Sequence, residues 1–182
     1  MHIAVCEDLY LEFDLPAGSY LLKGEPVCTL YSDKEPSQEL IARILNHLNF
    51  YTSQEIDRNA YYGYMHLTEV AVKALSPSIA DPGTAVLCID ALTDLFAEVM
   101  QHPWASSYAD KSGCVRISII RRSFHELFDH CVYQIWDYGK TDRTVKAAFL
   151  QMLKKLRTVA NSSLQEQALN RFEAVLEIPE VK

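Results

Sequence analysis

"KALSPSIADPGTAVLCIDAL", residues 73–92, decides the fold, because two runs with helical spacing meet there across a cluster of turn-forming residues. Ser76 and Asp81 each precede a proline, and a residue in that position is disfavoured in the helical region of backbone space. The first run is therefore predicted to end near residue 75 or 76. Asp81 is predicted to be the N-cap of the next helix, with Pro82 at its first position. The stretch predicts a tight corner between two antiparallel core helices.

Helical periodicity continues on both sides of this corner. Apolar residues recur every three or four positions, as they do on the buried face of an amphipathic helix. Ser123 and Glu126 form the S-x-x-E pattern of a capping box, and Gly139 is placed to cap the end of the same helix. About six helices are predicted from these patterns, over residues 36–50, 57–75, 82–101, 123–139, 141–160 and 162–177.

Two parts of the chain have sequence patterns typical of β-strands. Within residues 1–32, "HIAVC", "YLEFDL" and "PVCTLY" predict three or four short strands, with hairpin turns at 16–19 and 23–25. "CVRISII", residues 114–120, is β-branched and stands alone among helices. Because an isolated strand needs a partner, we expect it to pair with the N-terminal strands.

Together these patterns predict an α+β fold that is mainly α. About six helices form a bundle, and a small N-terminal antiparallel β segment is joined by the strand near 114–120. We expect one domain over residues 1–182, in which 1–32 are the β segment and 33–182 are the helical bundle with one inserted strand.

Composition restricts the function classes. The net charge of −7, with no cluster of Lys and Arg, argues against a nucleic-acid partner. Arg121-Arg122 and Lys154-Lys155 are isolated pairs that we expect to be solvated. Five cysteines without a C-x-x-C pattern favour buried thiols in a reducing compartment. The chain has no apolar run of about 18 residues and no signal peptide, so by itself it is expected to be soluble and cytosolic.

The corner also carries a family resemblance. "GYMHLTEVAVKALSPSIADPGTAVLCIDAL", residues 63–92, closely resembles the core motif of a bacterial family of predicted membrane proteins, catalogued only as domain of unknown function 2254. Ala80 stands where the family usually has asparagine, and Ser78 where it often has glycine. The matching positions are Gly63, Ala74, Leu75, Ser76, Pro77, Ile79, Asp81, Pro82, Thr84 and Ala85.

The resemblance implies a location and no chemistry. Members of the family place several transmembrane helices before this region, which implies that the chain is the soluble C-terminal part of a longer inner-membrane protein. Its expected partners are then its own upstream transmembrane helices, and its expected place is the cytoplasmic face of that membrane. The family has no established activity, substrate or cofactor, so no cofactor is expected.

The corner is also a candidate ligand site. The first turn of its second helix, with Gly83 and Thr84, offers backbone amides to an anion, and Ser76 and Asp81 flank it. Asp81 opposes this interpretation, because its own carboxylate already fills the amides with negative charge. Capping alone explains most of these residues.

An enzyme is the alternative to a binding module. His66 lies among tyrosines at a helix start, shortly after Asp57 and Arg58, and could act as a general acid or base. A hydrolase or transferase is conceivable if Asp57, Arg58, His66 and Asp81 converge. The competing interpretation is an aromatic-rich helix start packed on its neighbours. The sequence lacks the G-x-S-x-G, P-loop, HExxH and GxGxxG patterns.

Three side chains on the fourth predicted helix are candidate metal ligands. His125, Asp129 and His130 could share an ion, but no further ligand is signalled by spacing, and no metal is expected. We therefore favour a non-enzymatic module that is regulatory, ligand-sensing or oligomerising. A subunit-assembly domain is a further hypothesis, and it predicts exposed apolar surface and a homo-oligomer.

Overall fold

The computed structural model describes residues 1–53, 55–57 and 59–178. The chain forms two compact units: the sheet unit, Met1–Asn59 with Trp104–Arg121, and the helical unit, Ala60–Pro103 with Arg122–Lys182. The mainly helical α+β class is confirmed, and a single domain over residues 1–182 stays a prediction. In order, the elements are α1 (His2–Cys6), β1 (Tyr10–Phe13), β2 (Cys28–Tyr31), α2 (Gln38–Leu45), α3 (Ala60–Ala74), α4 (Pro82–Gln101), β3 (Ser107–Ala109), β4 (Val115–Ile119), α5 (Phe124–Gly139), α6 (Arg143–Arg157) and α7 (Ser163–Glu177).

The sheet has the strand order β2-β1-β4-β3. The expectation that the strand near 114–120 pairs with the N-terminal segment is confirmed, since Leu11 of β1 lies opposite Ile117 of β4. The β1–β4 pair is parallel, although the sequence predicted an antiparallel segment. The β1–β2 and β3–β4 pairs are antiparallel. A parallel pair needs a long crossover, and the hundred or so residues between the two strands supply it.

Three expectations for the sheet unit are wrong. "HIAVC" forms the short helix α1, whose buried Ala4 packs with Leu9, Leu11 and Ile44. A run of four apolar residues, Ile3–Cys6, is too short to separate a period of 2 from one of 3.6. Residues 1–32 contain two strands, and the turns at 16–19 and 23–25 lie inside one long connection between them. β3 was not expected, because its three residues carry no apolar alternation.

The helical unit follows the predicted periodicity closely. α4 has the predicted bounds, and Ser123 and Glu126 form both halves of the capping box at the start of α5. Gly139 does not cap α5 in the left-handed conformation; it is the last helical residue, followed by Lys140 in right-handed geometry. A Cβ on Gly139 would lie 2.7 Å from Val145 Cγ1, so glycine provides the space for α6 to begin there.

Aromatic rings join four helices in the core. Phe128 of α5 lies 5.3 Å from Phe96 of α4 and 5.8 Å from Phe172 of α7, measured between ring centroids. Phe172 in turn lies 5.0 Å from Phe149 of α6. All four side chains are fully buried, and most of the contacts are edge-to-face, the favourable geometry for such pairs.

The predicted corner between α3 and α4 is confirmed. Tyr64 donates a 2.9 Å hydrogen bond to the Leu95 carbonyl, while the residues around 74 and 81 meet at the corner, so the helices are antiparallel. Asp81 caps α4 and Pro82 begins it. Ala80 has a φ of +51°, a left-handed conformation that asparagine and glycine adopt more easily than alanine.

Candidate functional site

The polar side chains of the corner are engaged in local structure. Asp81 accepts 3.1 Å and 2.5 Å hydrogen bonds from the backbone amide and hydroxyl of Thr84. These two bonds hold the pKa of Asp81 below its usual range, and the Thr84 hydroxyl has a larger effect than the Thr84 amide. Ser76 donates a 2.7 Å hydrogen bond to the Lys73 carbonyl. Capping and turn formation account for these contacts, and ligand binding by Ser76, Asp81 and Thr84 stays a prediction.

Within the helical unit, the structure does not bring His66 and Asp81 of the enzyme hypothesis together. His66 is exposed on α3, with its ring 5.8 Å from that of Tyr62. The backbone amide of Asp81 donates a hydrogen bond to the Ala74 carbonyl at the corner. Ala74 lies eight residues after His66 on α3, which corresponds to about 12 Å along the helix axis. Asp57 is exposed and belongs to the sheet unit. Arg58 lies outside the described residues.

The candidate metal ligands on α5 each have a different partner. His125 Nε2 lies 3.3 Å from Ser123 Oγ, Asp129 accepts a 2.7 Å bond from Arg171, and the His130 ring contacts Gln134. Over residues 1–53, 55–57 and 59–178, no three His, Cys, Asp or Glu side chains are grouped so that they could hold a metal ion.

The buried cysteines are held as thiols. Cys88 and Cys131 are buried in the helical unit, Cys28 is half-buried, and Cys6 and Cys114 are exposed. Burial raises the pKa of the Cys131 thiol to about 11. Cys131 therefore stays protonated at neutral pH and packs as a small apolar side chain.

Arg122 is the feature that sequence reasoning missed. It was expected to be solvated, but its side chain is half-buried and its Cζ lies 4.0 Å from the centroid of the Tyr61 ring. Its Nε atom is buried without a hydrogen-bond partner among the described residues. Arg121 is not free in solvent either, since it donates to the Ala105 carbonyl. A basic residue placed between a β-branched strand and a capping box was the available signal.

Three further side chains accompany Arg122, and we call Tyr61, Arg122, His130 and Gln134 the Arg122 cluster. Tyr61 lies in the first turn of α3, and its ring is 6.3 Å from that of His130. Gln134 Nε2 lies 3.0 Å from His130 Nε2. An amide nitrogen can only donate, so His130 Nε2 accepts, and the neutral ring carries its proton on Nδ1. All four residues belong to the helical unit.

The carboxylates beside the cluster accept hydrogen bonds from other residues, although Asp129 Oδ1 is buried without a partner among the described residues. Glu126 accepts hydrogen bonds from the Ser123 amide at 2.7 Å and hydroxyl at 2.6 Å, and Ser123 is the main cause of its lowered pKa. Asp129 is paired with Arg171. Among the described residues Arg122 forms no salt bridge with a carboxylate. A half-buried guanidinium with open N–H donors is suited to binding an oxyanion.

Comparisons with known proteins point to one family. A family model described as "Predicted membrane protein (DUF2254)" matches residues 1–155. No curated protein and no solved structure matches the chain. Within the described part of the chain, none of the helices combines the length and the apolar character needed to cross a bilayer. Because the family model covers most of its length, the chain belongs to this family of predicted membrane proteins of unknown function.

Proposed function

We propose that the chain is a ligand-sensing, regulatory module of a multi-pass inner-membrane protein, placed on the cytoplasmic side and connected to upstream transmembrane helices. Membership of a family of predicted membrane proteins supports the connection to a membrane. The observation that carries the sensing role is Arg122, whose guanidinium is held against Tyr61 while its buried Nε has no partner among the described residues. A buried polar group without a partner is unfavourable, so an arrangement of the chain in which a bound anion reaches this Nε would be favoured.

The position of Arg122 supports a regulatory consequence of binding. Phe124, two residues after Arg122, packs on Phe96 at 5.9 Å between ring centroids. Tyr64, one turn after Tyr61, packs on the same Phe96 at 5.5 Å. A ligand held by Arg122 and Tyr61 would therefore lie at the starts of α3 and α5, which both pack against Phe96. Such a ligand can shift the packing of α3 and α5 if it binds one arrangement better than another.

The sensing role is tested by thermal unfolding with a panel of small anions, using the wild-type chain and Arg122→Gln. At least one anion is expected to raise the wild-type melting temperature and leave that of the variant unchanged, because a ligand that binds only the folded state stabilises it. If no anion distinguishes the two proteins, the ligand-sensing role is wrong.

The connection to the membrane is tested on the full-length gene product with C-terminal reporter fusions. A green fluorescent protein fusion is expected to fluoresce in the membrane fraction, and an alkaline phosphatase fusion to be inactive, because phosphatase folds only outside the cytoplasm. An active phosphatase fusion would place the module on the other side of the membrane. A product found only in the soluble fraction would contradict the connection itself.

A homo-oligomeric assembly module is the second candidate. It is favoured by large apolar side chains of the helical unit that are more than half exposed, among them Leu87, Leu164 and Tyr138. Exposed apolar surface is a common feature of subunit interfaces. Light scattering coupled to size-exclusion chromatography tests this candidate, which requires a mass above the 20.7 kDa of one chain.

A further inference from the structure

We infer that the Arg122 cluster binds a phosphate group, carried by a small molecule or by a lipid. The inference rests on the proposed ligand-sensing function and names the chemistry of its ligand. It is carried by the juxtaposition around Tyr61 of the Arg122 guanidinium, whose Nε has no hydrogen-bond partner among the described residues, with the His130 ring, whose Nε2 is held by Gln134.

Contact with Tyr61 holds the guanidinium in place. Arg122 Cζ lies over the Tyr61 ring, 4.0 Å from the ring centroid. The N–H donors of arginine lie in the guanidinium plane, in a fixed fork that matches two oxygens of an oxyanion. Arg122 is therefore oriented in advance, and less side-chain freedom is lost when a ligand binds.

His130 supplies a second donor beside the same ring. Because Gln134 donates to His130 Nε2, the Nδ1–H group is the one available to a ligand. The Tyr61 ring contacts both His130 and Arg122, so the two donor groups flank one aromatic side chain. Glu126 accepts hydrogen bonds from Ser123 and Asp129 from Arg171. Neither carboxylate forms a salt bridge with Arg122 among the described residues, although, after the larger effect of Ser123, the nearby charge of Arg122 contributes to the lowered pKa of Glu126.

This donor set suits a phosphate better than a carboxylate. A carboxylate has two oxygens, and the guanidinium fork satisfies both of them. A phosphate monoester carries three terminal oxygens and a charge of about −1.5 to −2, so an oxygen remains for His130 after the fork is filled. Discrimination in favour of phosphate is therefore expected to depend on His130 and binding itself on Arg122.

The test is titration of inorganic phosphate into the folded chain, followed by calorimetry. Arg122→Gln is expected to weaken phosphate binding about tenfold or more, because charge-assisted hydrogen bonds are lost. Arg143→Gln is the matched control, since Arg143 is an exposed arginine of the same unit, and it should bind like wild type. If Arg122→Gln fails to fold, Arg122→Lys is used instead. Lysine keeps the positive charge but lacks the planar fork of N–H donors, so this variant is also expected to bind phosphate more weakly than wild type. Equal affinity in wild type and the folded Arg122 variant would overturn the inference.

Acetate distinguishes this inference from the broader proposal. His130→Phe is expected to reduce phosphate binding while leaving acetate binding through Arg122 unchanged. If wild type binds acetate through Arg122 as tightly as phosphate, the phosphate inference is wrong and the ligand-sensing role stands. If no anion binds through Arg122, both are wrong.

Vesicles identify where the phosphate comes from. Phosphatidylcholine vesicles with and without phosphatidic acid are mixed with wild type and Arg122→Gln, and bound protein is measured by flotation. Arg122-dependent binding to phosphatidic acid identifies a lipid headgroup. Binding of inorganic phosphate without vesicle binding identifies a soluble ligand. Both results support the phosphate site, whereas vesicle binding that is insensitive to Arg122→Gln, together with no phosphate binding, contradicts it.

Discussion

The backbone amide of Asp81 donates a 2.8 Å hydrogen bond to the carbonyl of Ala74, the last residue of α3. This bond ties the end of one core helix to the N-cap of the next. The chain between them must therefore reverse within six residues, and Ala80 makes the reversal by adopting a positive φ of +51°. The corner between α3 and α4 therefore places one residue in a conformation that its side chain disfavours.

Ala80→Gly is expected to stabilise the protein. A left-handed conformation is unfavourable for alanine by about 1–2 kcal/mol, and glycine adopts it without that penalty, although its freer unfolded chain offsets part of the gain. We expect the free energy of unfolding to rise by about 0.5–1 kcal/mol, measured by urea denaturation. Ala147→Gly is the matched control, because Ala147 is an exposed helical alanine, and it should lower stability by about 1 kcal/mol. Loss of stability in Ala80→Gly would contradict the strained corner.

Asp81 is expected to make stability pH-dependent on the acid side. Its pKa is lowered by the Thr84 hydroxyl and amide, so the folded state favours the ionised carboxylate. The resulting stabilisation is present above the ordinary value of 3.8 and is lost as the pH falls below it. Asp81→Asn, which can still cap the helix, should show a smaller loss of melting temperature between pH 5 and pH 3 than wild type. An unchanged acid-side slope would show that Asp81 does not contribute.

Removal of the cap altogether is expected to lower the melting temperature at neutral pH. Asp81→Ala leaves the Thr84 amide without its acceptor, and loss of an N-cap lowers the melting temperature of a domain this size by a few degrees. Differential scanning calorimetry at pH 7 measures this change. Asp81→Asn should stay close to wild type in the same measurement, because its side-chain oxygen can accept the bond.

Gly139→Ala is expected to destabilise the protein, although alanine is normally the better helix former. The new Cβ would lie 2.7 Å from Val145 Cγ1 and 3.1 Å from Leu75 Cδ1. Val145 is fully buried and β-branched, so it cannot easily rotate away. Overpacking of this kind costs about 1–3 kcal/mol, which exceeds the gain in helix propensity of about 1 kcal/mol.

A double-mutant cycle isolates the contact between Gly139 and Val145. Val145→Ala removes the atom nearest to the new Cβ, so Gly139→Ala should be less destabilising in that background than in wild type. Neighbouring substitutions of this kind are non-additive by about 0.5–3 kcal/mol. Additive effects in chemical denaturation would contradict the close approach of α5 and α6.

Phe128→Ala is expected to be the most damaging core substitution of this set. Phe128 is fully buried and lies against Phe96, Phe124 and Phe172. Its truncation should lower the free energy of unfolding by about 3–5 kcal/mol. Asp137→Ala on the same helix is the control, because Asp137 is exposed, and it should change stability by about 0.5 kcal/mol or less.

The helices were predictable because their signals are local. Asp81-Pro82 marks the start of α4, and Ser123 with Glu126 marks the start of α5, each within four residues. α1 was not predictable, because a run of four apolar residues fits a strand and a helix equally well, and contact with Leu9 and Ile44 selects the helix. Gly139 was misinterpreted for a similar reason, since a glycine near a helix end can serve a turn or a close contact.

The sequence by itself determined the helical bundle and the corner at residues 76–82, because capping, proline geometry and apolar periodicity act between residues close in the chain. The family was also recognisable from the sequence, through the resemblance of residues 63–92. Only the tertiary structure decided that β1 and β4 run parallel, and that Arg122 stacks on Tyr61, 61 positions earlier, instead of facing solvent. Both depend on contacts between distant segments. The packing of whole helices and strands determines which partner a side chain contacts in a distant segment.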